Sequence, residues 1–367
     1  MASAGRVLSV LAGSWMAVAI LLSAVRTVVL PRGDPVILTR AVFLTTRRVF
    51  DVRVKRAKTY EERDRGMALY APVSLVLLPG TWVALMIVAF TAIFWGLGTN
   101  PLGMAVRESG SSLLTLGFVV PKDVPTEAAV FVEATLGLGL IALLISYLPS
   151  IYTAFQRREL AVALLATRAG EPPSAIAMII RHHLLERFDA LDEIWDEWET
   201  WFADIEETHT SQPSLVFFRS ISHERSWITS AGVVLDCAAL RSAVLDLPPN
   251  PRAQLCIRAG YLSLRRIALY FDIPYDANPA PDDPISVDRS EFDAAVAELA
   301  AAGVSLKADL DQAWRDFAGW RVNYDAPLIA LAGLTMAPYA PWSSDRSFRP
   351  QRPSLRPALL RRRSNTP

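Results

Sequence analysis

The chain has 367 residues, of which 52% are hydrophobic and 20% charged, and its mean hydropathy is +0.27. Its 37 Lys and Arg residues balance 37 Asp and Glu residues, so the formal net charge of zero argues against general nucleic-acid binding. Its two cysteines, Cys237 and Cys256, suggest neither a disulfide framework nor a zinc cluster, and we expect no cofactor. The longest uncharged apolar runs lie before Arg157, which predicts a multi-pass membrane protein.

The first apolar run, Val7 to Leu30, predicts a transmembrane helix within residues 1–31. Its only charged residue is Arg26, near its end, where a long side chain can reach the headgroups. The alternative is a cleaved signal peptide, whose apolar region usually has about 7 to 15 residues. Because the run is longer and Ser23-Ala24-Val25 is a poor cleavage site, we favour a retained helix.

Residues 32–70 form a basic link in which arginines are interleaved with apolar side chains. The basic residues are Arg32, Arg40, Arg47, Arg48, Arg53, Lys55, Arg56, Lys58, Arg63 and Arg65. This composition favours a helix lying in the headgroup layer, and the alternative is a solvated loop that only sets topology. The positive-inside rule places the link in the cytoplasm and the N-terminus outside the cell.

Two further uncharged runs, Met67 to Val106 and Ala134 to Gln156, predict the second and third transmembrane helices. Each exceeds the roughly 20 apolar residues that cross a bilayer core. The segment between the two helices has only Arg107 and Lys122 as basic residues, as expected outside the cell. Two arginines follow the third run directly, so the C-terminal region is predicted to be cytoplasmic.

The outer segment between these helices is too short for a domain and too apolar for an ordinary exposed loop. Asn100-Pro101 predicts the start of a short helix that dips into the membrane and ends near Leu114. Extended backbone is predicted to follow at Thr115, Leu116, Gly117 and Phe118. Non-helical backbone at membrane depth is tolerated only where it is buried in protein or lines water, which favours a re-entrant arrangement.

This arrangement and its Thr-Leu-Gly-Phe sequence resemble the two-helix pore domain of the potassium-channel superfamily, over about residues 71–173. In that family Thr-(Val/Leu)-Gly-(Tyr/Phe)-Gly-Asp forms a selectivity filter whose backbone carbonyls replace the ion's hydration shell. The sequence looks most similar to bacterial potassium-channel-like proteins with an extra N-terminal membrane helix and a long helical C-terminal region. Residues 147–159, 168–173 and 218–227 also look similar to those proteins. The resemblance implies a homotetramer with potassium as the permeant ion.

The sequence departs from the family pattern directly after Phe118. The filter of those relatives commonly continues Gly-Asp-Val-Val-Pro, whereas here Val119 and the rest of Val-Val-Pro follow without Gly-Asp. A β-branched residue does not readily adopt the backbone angles of a filter glycine, and holding it there costs about 1–3 kcal/mol. Arg107 and Glu108 also stand where the family's pore helix usually has aromatic or apolar residues. Descent from a potassium-channel pore and potassium-selective conduction are therefore separate hypotheses.

Three residues of the third membrane helix are candidates for supporting this loop. The resemblance implies that Glu133 packs against the pore helix, and the alternative is a position at the headgroup boundary. Gly137 and Gly139 are either a gating hinge or small residues that let helices pack closely, and packing is favoured. The alternative for the whole loop is a short outer connection on an inert membrane anchor.

The rest of the chain has helical, amphipathic patterns without an alternating strand series, which argues against a Rossmann regulatory domain. The third membrane helix is predicted to continue until Gly170. The acidic, tryptophan-rich residues 192–204 are better explained by a helix that buries aromatics than by a cation site. The four histidines lack metal-ligand spacing and no catalytic arrangement is visible, so we predict no enzyme. Further helices are predicted at Ser174–Glu207, Trp227–Leu247, Pro251–Phe271, Arg289–Ala302 and Lys307–Trp320.

The predicted fold is an all-α membrane protein with three transmembrane helices, a re-entrant pore helix, a filter-like loop and a helical cytoplasmic C-terminal domain. The predicted function is a pore-loop cation channel in the cell membrane, and the alternative is a non-conducting scaffold or signalling protein with the channel fold. Lipid and identical subunits are the expected partners; nucleic acid is not, and no cytoplasmic partner is identified. The predicted domains are the N-terminal transmembrane helix at 1–31, the basic link at 32–70, a pore unit at 71–155, a helical domain at 156–340 and a disordered tail at 341–367. The basic tail is either solvated or bound to an anionic membrane surface.

Overall fold

The computed structural model describes residues 2–29, 37–57 and 59–346. Within those residues the fold is all-α as predicted, with no β-strand beyond one isolated bridge between Leu245 and Leu306. Short 3-10 helices lie at Pro213–Phe217 and Ser344–Arg346. The α-helices of the described residues are α1 (Ala2–Val28), α2 (Ile37–Val54), α3 (Tyr60–Ala68), α4 (Tyr70–Leu97), α5 (Leu102–Leu113), α6 (Val124–Ala169), α7 (Ala175–Leu184), α8 (Ala190–Ser211), α9 (Trp227–Ala243), α10 (Pro251–Tyr270), α11 (Arg289–Ala301), α12 (Leu310–Arg321) and α13 (Asp325–Thr335).

Three helical segments of the described chain are long and apolar enough to cross a membrane. They are Ala4–Val28, Tyr60–Leu97 and Val124–Ala169, and they contain the three predicted membrane helices. This composition suggests a membrane protein. The chain divides into two compact units, the first made of Met1–Ala57 and Arg65–Thr153, the second of Lys58–Asp64 and Ala154–Pro367.

Close packing of α1 on α4 organises the first unit. A Cβ atom built on Gly13 would lie 2.5 Å from the carbonyl oxygen of Ala89, so only glycine permits this approach of the two backbones. The hydroxyl of Ser9 donates a hydrogen bond to the carbonyl of Ala92 at 2.7 Å. Large side chains of α4 fill the core beside this contact, among them Trp82, Met86, Phe90 and Phe94.

Buried aromatic side chains hold the second unit together. Trp195, Trp198 and Trp201 of α8 are all buried, and the ring centroids of Trp198 and Trp201 are 4.3 Å apart. Glu193 and Asp196 on the same helix are exposed. The structure therefore agrees with the packing interpretation of the acidic, tryptophan-rich stretch.

Two predicted features of the second unit are wrong in detail. The helix predicted at Ser174–Glu207 is broken into α7 and α8, because Glu186 adopts a left-handed φ of 53° that ends α7. Helix α13 was not predicted. Residues 341–346 were assigned to the disordered tail, yet Trp342 is buried and packs against Phe317, with ring centroids 5.6 Å apart. The rest of the predicted tail, 347–367, lies outside the described residues.

A buried ion network also stabilises the second unit. Arg321 is 0% exposed and donates hydrogen bonds to Asp236 and, at 2.7 Å, to Asp325. The hydroxyl of Tyr324 donates a second bond to Asp236 at 2.8 Å. Because these charges are paired and hydrogen-bonded, they can be buried without a large loss of stability. Loss of Arg321 would leave the carboxylates of Asp236 and Asp325 buried without their positively charged partner.

Candidate functional site

The candidate site is built on α5, the short helix between two of the long apolar helices. Its bounds, Leu102–Leu113, match the helix predicted between Asn100 and Leu114. The buried side of α5 is polar, so its groups need hydrogen-bond partners. The buried carboxylate of Glu108 accepts a hydrogen bond from the Thr99 hydroxyl at 2.9 Å. The buried residues of α5 are Ala105, Glu108, Ser109, Ser111, Ser112 and Leu113.

Glu133 joins α6 to α5 through both of its carboxylate oxygens. Its side chain is fully buried, at 0% exposed. The hydroxyl of Ser109 lies 2.5 Å from one carboxylate oxygen, and the hydroxyl of Ser112 donates to the other. A buried carboxylate is costly without such donors. The structure therefore places Glu133 against α5.

The two candidate glycines of α6 differ in their surroundings. A Cβ atom on Gly137 would lie 2.2 Å from the carbonyl oxygen of Leu113, the last residue of α5. A Cβ atom on Gly139 would have nothing within 4 Å. Gly137 is therefore a packing residue that lets α6 approach the end of α5. Gly139 makes no such approach to any described residue.

Ser111 turns the backbone of the following loop back onto α5. Its hydroxyl oxygen accepts hydrogen bonds from the amides of Phe118 and Val119 at 3.0 and 3.2 Å. Its carbonyl oxygen accepts from the amides of Leu116 and Gly117 at 2.8 and 3.3 Å. The amide of Thr115 also donates a hydrogen bond to α5, to the carbonyl oxygen of Ser112 at 3.0 Å. Five consecutive amides of the loop therefore point toward the helix.

The carbonyl side of the same loop has no hydrogen-bond partner among the described residues. None of the carbonyl oxygens of residues 115–119 accepts a hydrogen bond from any described residue. Thr115 and Gly117 both have left-handed backbone, with φ of 56° and 69°. Such angles cost a β-branched residue about 1–3 kcal/mol. The predicted strain at Val119 is wrong, because its φ is not positive and the strained β-branched residue is Thr115.

Charge at the loop has both signs. The C-terminal end of α5 carries the partial negative charge of the helix dipole, which favours a cation near the loop. The guanidinium of Arg107 lies 5.9 Å from the ring centroid of Phe118 and opposes that field. Leu116 and Phe118 are 61% and 55% exposed in the single chain, so their side chains are not part of its core. The loop thus presents free carbonyls and apolar side chains on a surface that the single chain leaves uncovered.

Thr115 to Phe118, Glu133 and the two glycines were predicted from the sequence, whereas Ser111 was not. Of the five amides of residues 115–119, four donate their hydrogen bonds to Ser111. A signal was present, because serine near the end of a helix often bonds to local backbone amides. The residue type alone did not show that the chain would turn back over Ser111.

No protein-family model matches the chain, and no significant match is found among curated proteins or solved structures.

Proposed function

We propose that the chain is one subunit of a homotetrameric pore-loop cation channel of the potassium-channel type. In this proposal Thr115, Leu116, Gly117 and Phe118 of four copies line the ion path. The observation that carries the proposal is the one-sided hydrogen bonding of the loop, whose amides are bonded to α5 while its carbonyls have no partner in the described part of the chain. Carbonyl oxygens in this state can replace the hydration shell of a cation.

The geometry of a single chain supports the tetramer as part of the proposal. One loop supplies carbonyls from one side only, and an ion that loses its water needs oxygen ligands all round. Four copies around an axis meet that need. The exposed side chains of Leu116 and Phe118 are then covered by neighbouring copies instead of water.

The hydrogen bonds of the loop support weak rather than strong selectivity for potassium. Family filters have a second glycine and an aspartate after the aromatic residue, and here Val119 follows Phe118 directly. The amide of Val119 is bonded to the Ser111 hydroxyl, which ends the turned loop at that residue. We therefore expect fewer carbonyl rings than in the family filter, and a permeability ratio of potassium to sodium below tenfold.

Arg107 favours the second candidate function, a non-conducting scaffold that keeps the channel fold. Its guanidinium lies near the Phe118 ring in each chain, and four such charges around one axis would repel cations. In a scaffold, α5 and its contact with Glu133 would serve only to hold α4 and α6 together. The two functions therefore differ in conduction and not in fold.

Ion flux in liposomes tests the proposal. Purified protein is reconstituted with a potassium or a sodium gradient, and efflux of each ion is measured. We expect flux of both ions, with potassium favoured by less than tenfold. Insertion of Gly-Asp after Phe118 should raise the ratio, and Arg258→Gln, at an exposed position of α10, serves as a control that should leave flux unchanged. A tetramer that passes neither ion would support the scaffold.

We further propose that the N-terminus lies outside the cell and the C-terminal region in the cytoplasm. The reason is the excess of Arg and Lys in residues 32–70 over the segment between the second and third membrane helices. Reporter fusions after Lys58, after Lys122 and at the C-terminus should read inside, outside and inside. A cytoplasmic signal after Lys122 would contradict both the topology and the pore proposal.

A further inference from the structure

Helix α2 is oriented by its contacts with the first residue of α4. The ring of Tyr70 packs edge-on against Phe43 and Phe50, with centroids 6.4 and 6.0 Å apart. The Tyr70 hydroxyl donates a hydrogen bond to the carbonyl of Phe43 at 3.2 Å. The guanidinium of Arg47 lies 5.4 Å from the centre of the same ring and bonds to Asp51 at 3.2 Å. These contacts fix which side of α2 faces the protein.

The opposite side of α2 is exposed and positively charged. Ala41, Thr45, Arg48 and Val52 follow one another at helical spacing on that side, and all are exposed. Four exposed cations lie on α2 and just after its end; we call them the basic face. Within the described chain none of the four has an acidic partner. The basic face consists of Arg48, Arg53, Lys55 and Arg56.

The position of α2 in the chain places this surface beside a membrane. The apolar segment of α1 ends at Val28 and α4 begins at Tyr70, so α2 belongs to a connection between two helices that can span a bilayer. Such a connection starts and ends at one membrane surface. Val49 and Val52, which are 64% and 65% exposed, lie among the cations. Basic and apolar side chains mixed in this way suit the boundary of headgroups and acyl chains.

We propose that the basic face binds the phosphate groups of anionic phospholipids in the bilayer, with Val49 and Val52 reaching the upper acyl chains. Guanidinium groups form short, charge-assisted hydrogen bonds with phosphate oxygens, and the lack of acidic partners within the described residues leaves these donors available. Because Tyr70 joins α2 to α4, a bound lipid would also hold the start of that membrane helix. The inference does not depend on whether the chain conducts ions.

Native mass spectrometry of the full chain in mild detergent tests this site. Dioleoylphosphatidylglycerol and dioleoylphosphatidylcholine are added at equal concentration, and retained lipid is counted for each. We expect the wild-type protein to retain the anionic lipid preferentially. Replacing the basic face with four glutamines should weaken that binding by at least tenfold, since each cation near the membrane surface contributes about fivefold, or about 1 kcal/mol.

Two further variants make the result specific. A variant with lysine at all four positions of the basic face should keep the preference for anionic lipid. A control that removes the same charge from exposed positions of the second unit should also keep it. The control positions are Arg187, Arg252, Arg258 and Arg315.

Three outcomes would overturn the proposal. In the first, both glutamine variants lose lipid equally, which would show a general effect of net charge. In the second, the glutamine variant of the basic face keeps its lipid. In the third, tripolyphosphate or an RNA oligonucleotide displaces the lipid at equal charge concentration, which would make the surface a site for soluble polyanions. Each variant is first checked for an unchanged circular dichroism spectrum and oligomer size.

Discussion

Removal of one hydroxyl group should loosen the loop that carries the proposed function. In Ser111→Ala the amides of Phe118 and Val119 lose their acceptor, while the Ser111 carbonyl keeps its bonds to Leu116 and Gly117. Each lost hydrogen bond is worth about 1 kcal/mol net, so opening of the loop end should become easier by about 2 kcal/mol. That difference corresponds to roughly thirtyfold faster amide hydrogen exchange at the two residues.

Hydrogen exchange followed by mass spectrometry of the detergent-solubilised protein measures this change directly. Ser112→Ala is the matched control, because its hydroxyl donates to Glu133 and accepts no hydrogen bond from a loop amide of the described chain. It should leave exchange at Phe118 and Val119 within about threefold of the wild-type rate. Unchanged exchange in Ser111→Ala would refute the reasoning and show that the carbonyl bonds alone hold the loop.

Three further predictions use unfolding followed by tryptophan fluorescence. Gly137→Ala should destabilise the protein by about 1–3 kcal/mol because its Cβ meets a backbone carbonyl, whereas Gly139→Ala should be neutral or slightly stabilising. Arg321→Met should lower the free energy of unfolding by about 3–5 kcal/mol, because two buried carboxylates lose their partner. Arg315→Met, at an exposed position of the same helix, should lower it by less than about 0.5 kcal/mol. Equal effects within either pair would contradict the packing and ion-pair arguments. Burial, and secondarily a neighbouring arginine, hold the pKa of His209 well below 6.5. The unfolded chain therefore binds this proton more tightly than the folded protein, and stability falls as the pH drops below about 6.5. From about pH 7.5 to 5.5 the wild-type protein should lose about 1.4 kcal/mol more than His209→Gln, and equal losses would contradict the burial argument.

The three long apolar helices and α5 could be predicted because their signals are local. Uncharged runs mark the long helices, and Asn100-Pro101 marks the start of α5 within two residues. Such features depend on neighbouring residues in the chain and need no knowledge of tertiary packing.

The break between α7 and α8 could not be predicted from its residues. The amides of Glu186 and Arg187 bond back to the carbonyls of His183 and His182, which is the hydrogen-bond pattern that usually ends a helix with glycine. Glutamate occupies the left-handed position here, so the usual signal is missing. Apolar residues continue at helical spacing across the break, and the periodicity therefore predicted one long helix.

The candidate site was only partly predictable for a different reason. Thr115 to Phe118 and Glu133 could be selected because the resemblance named their positions. The contribution of Ser111 depends on the loop turning back over the helix, which brings amides up to eight residues later against one hydroxyl. A contact of that kind follows from the path of the backbone and has no periodic signal in the sequence.

Cysteine modification of the loop during ion flux tests the central claim most directly. The two natural cysteines, Cys237 and Cys256, are buried, and burial raises the pKa of both thiols, so a thiol reagent should act only on an introduced residue. In Thr115→Cys, a charged methanethiosulfonate should abolish cation flux into liposomes if four loops line the ion path. In Glu127→Cys, on an exposed turn of α6, the same reagent should leave flux unchanged. Complete modification at residue 115, verified by mass, with undiminished flux would contradict the account.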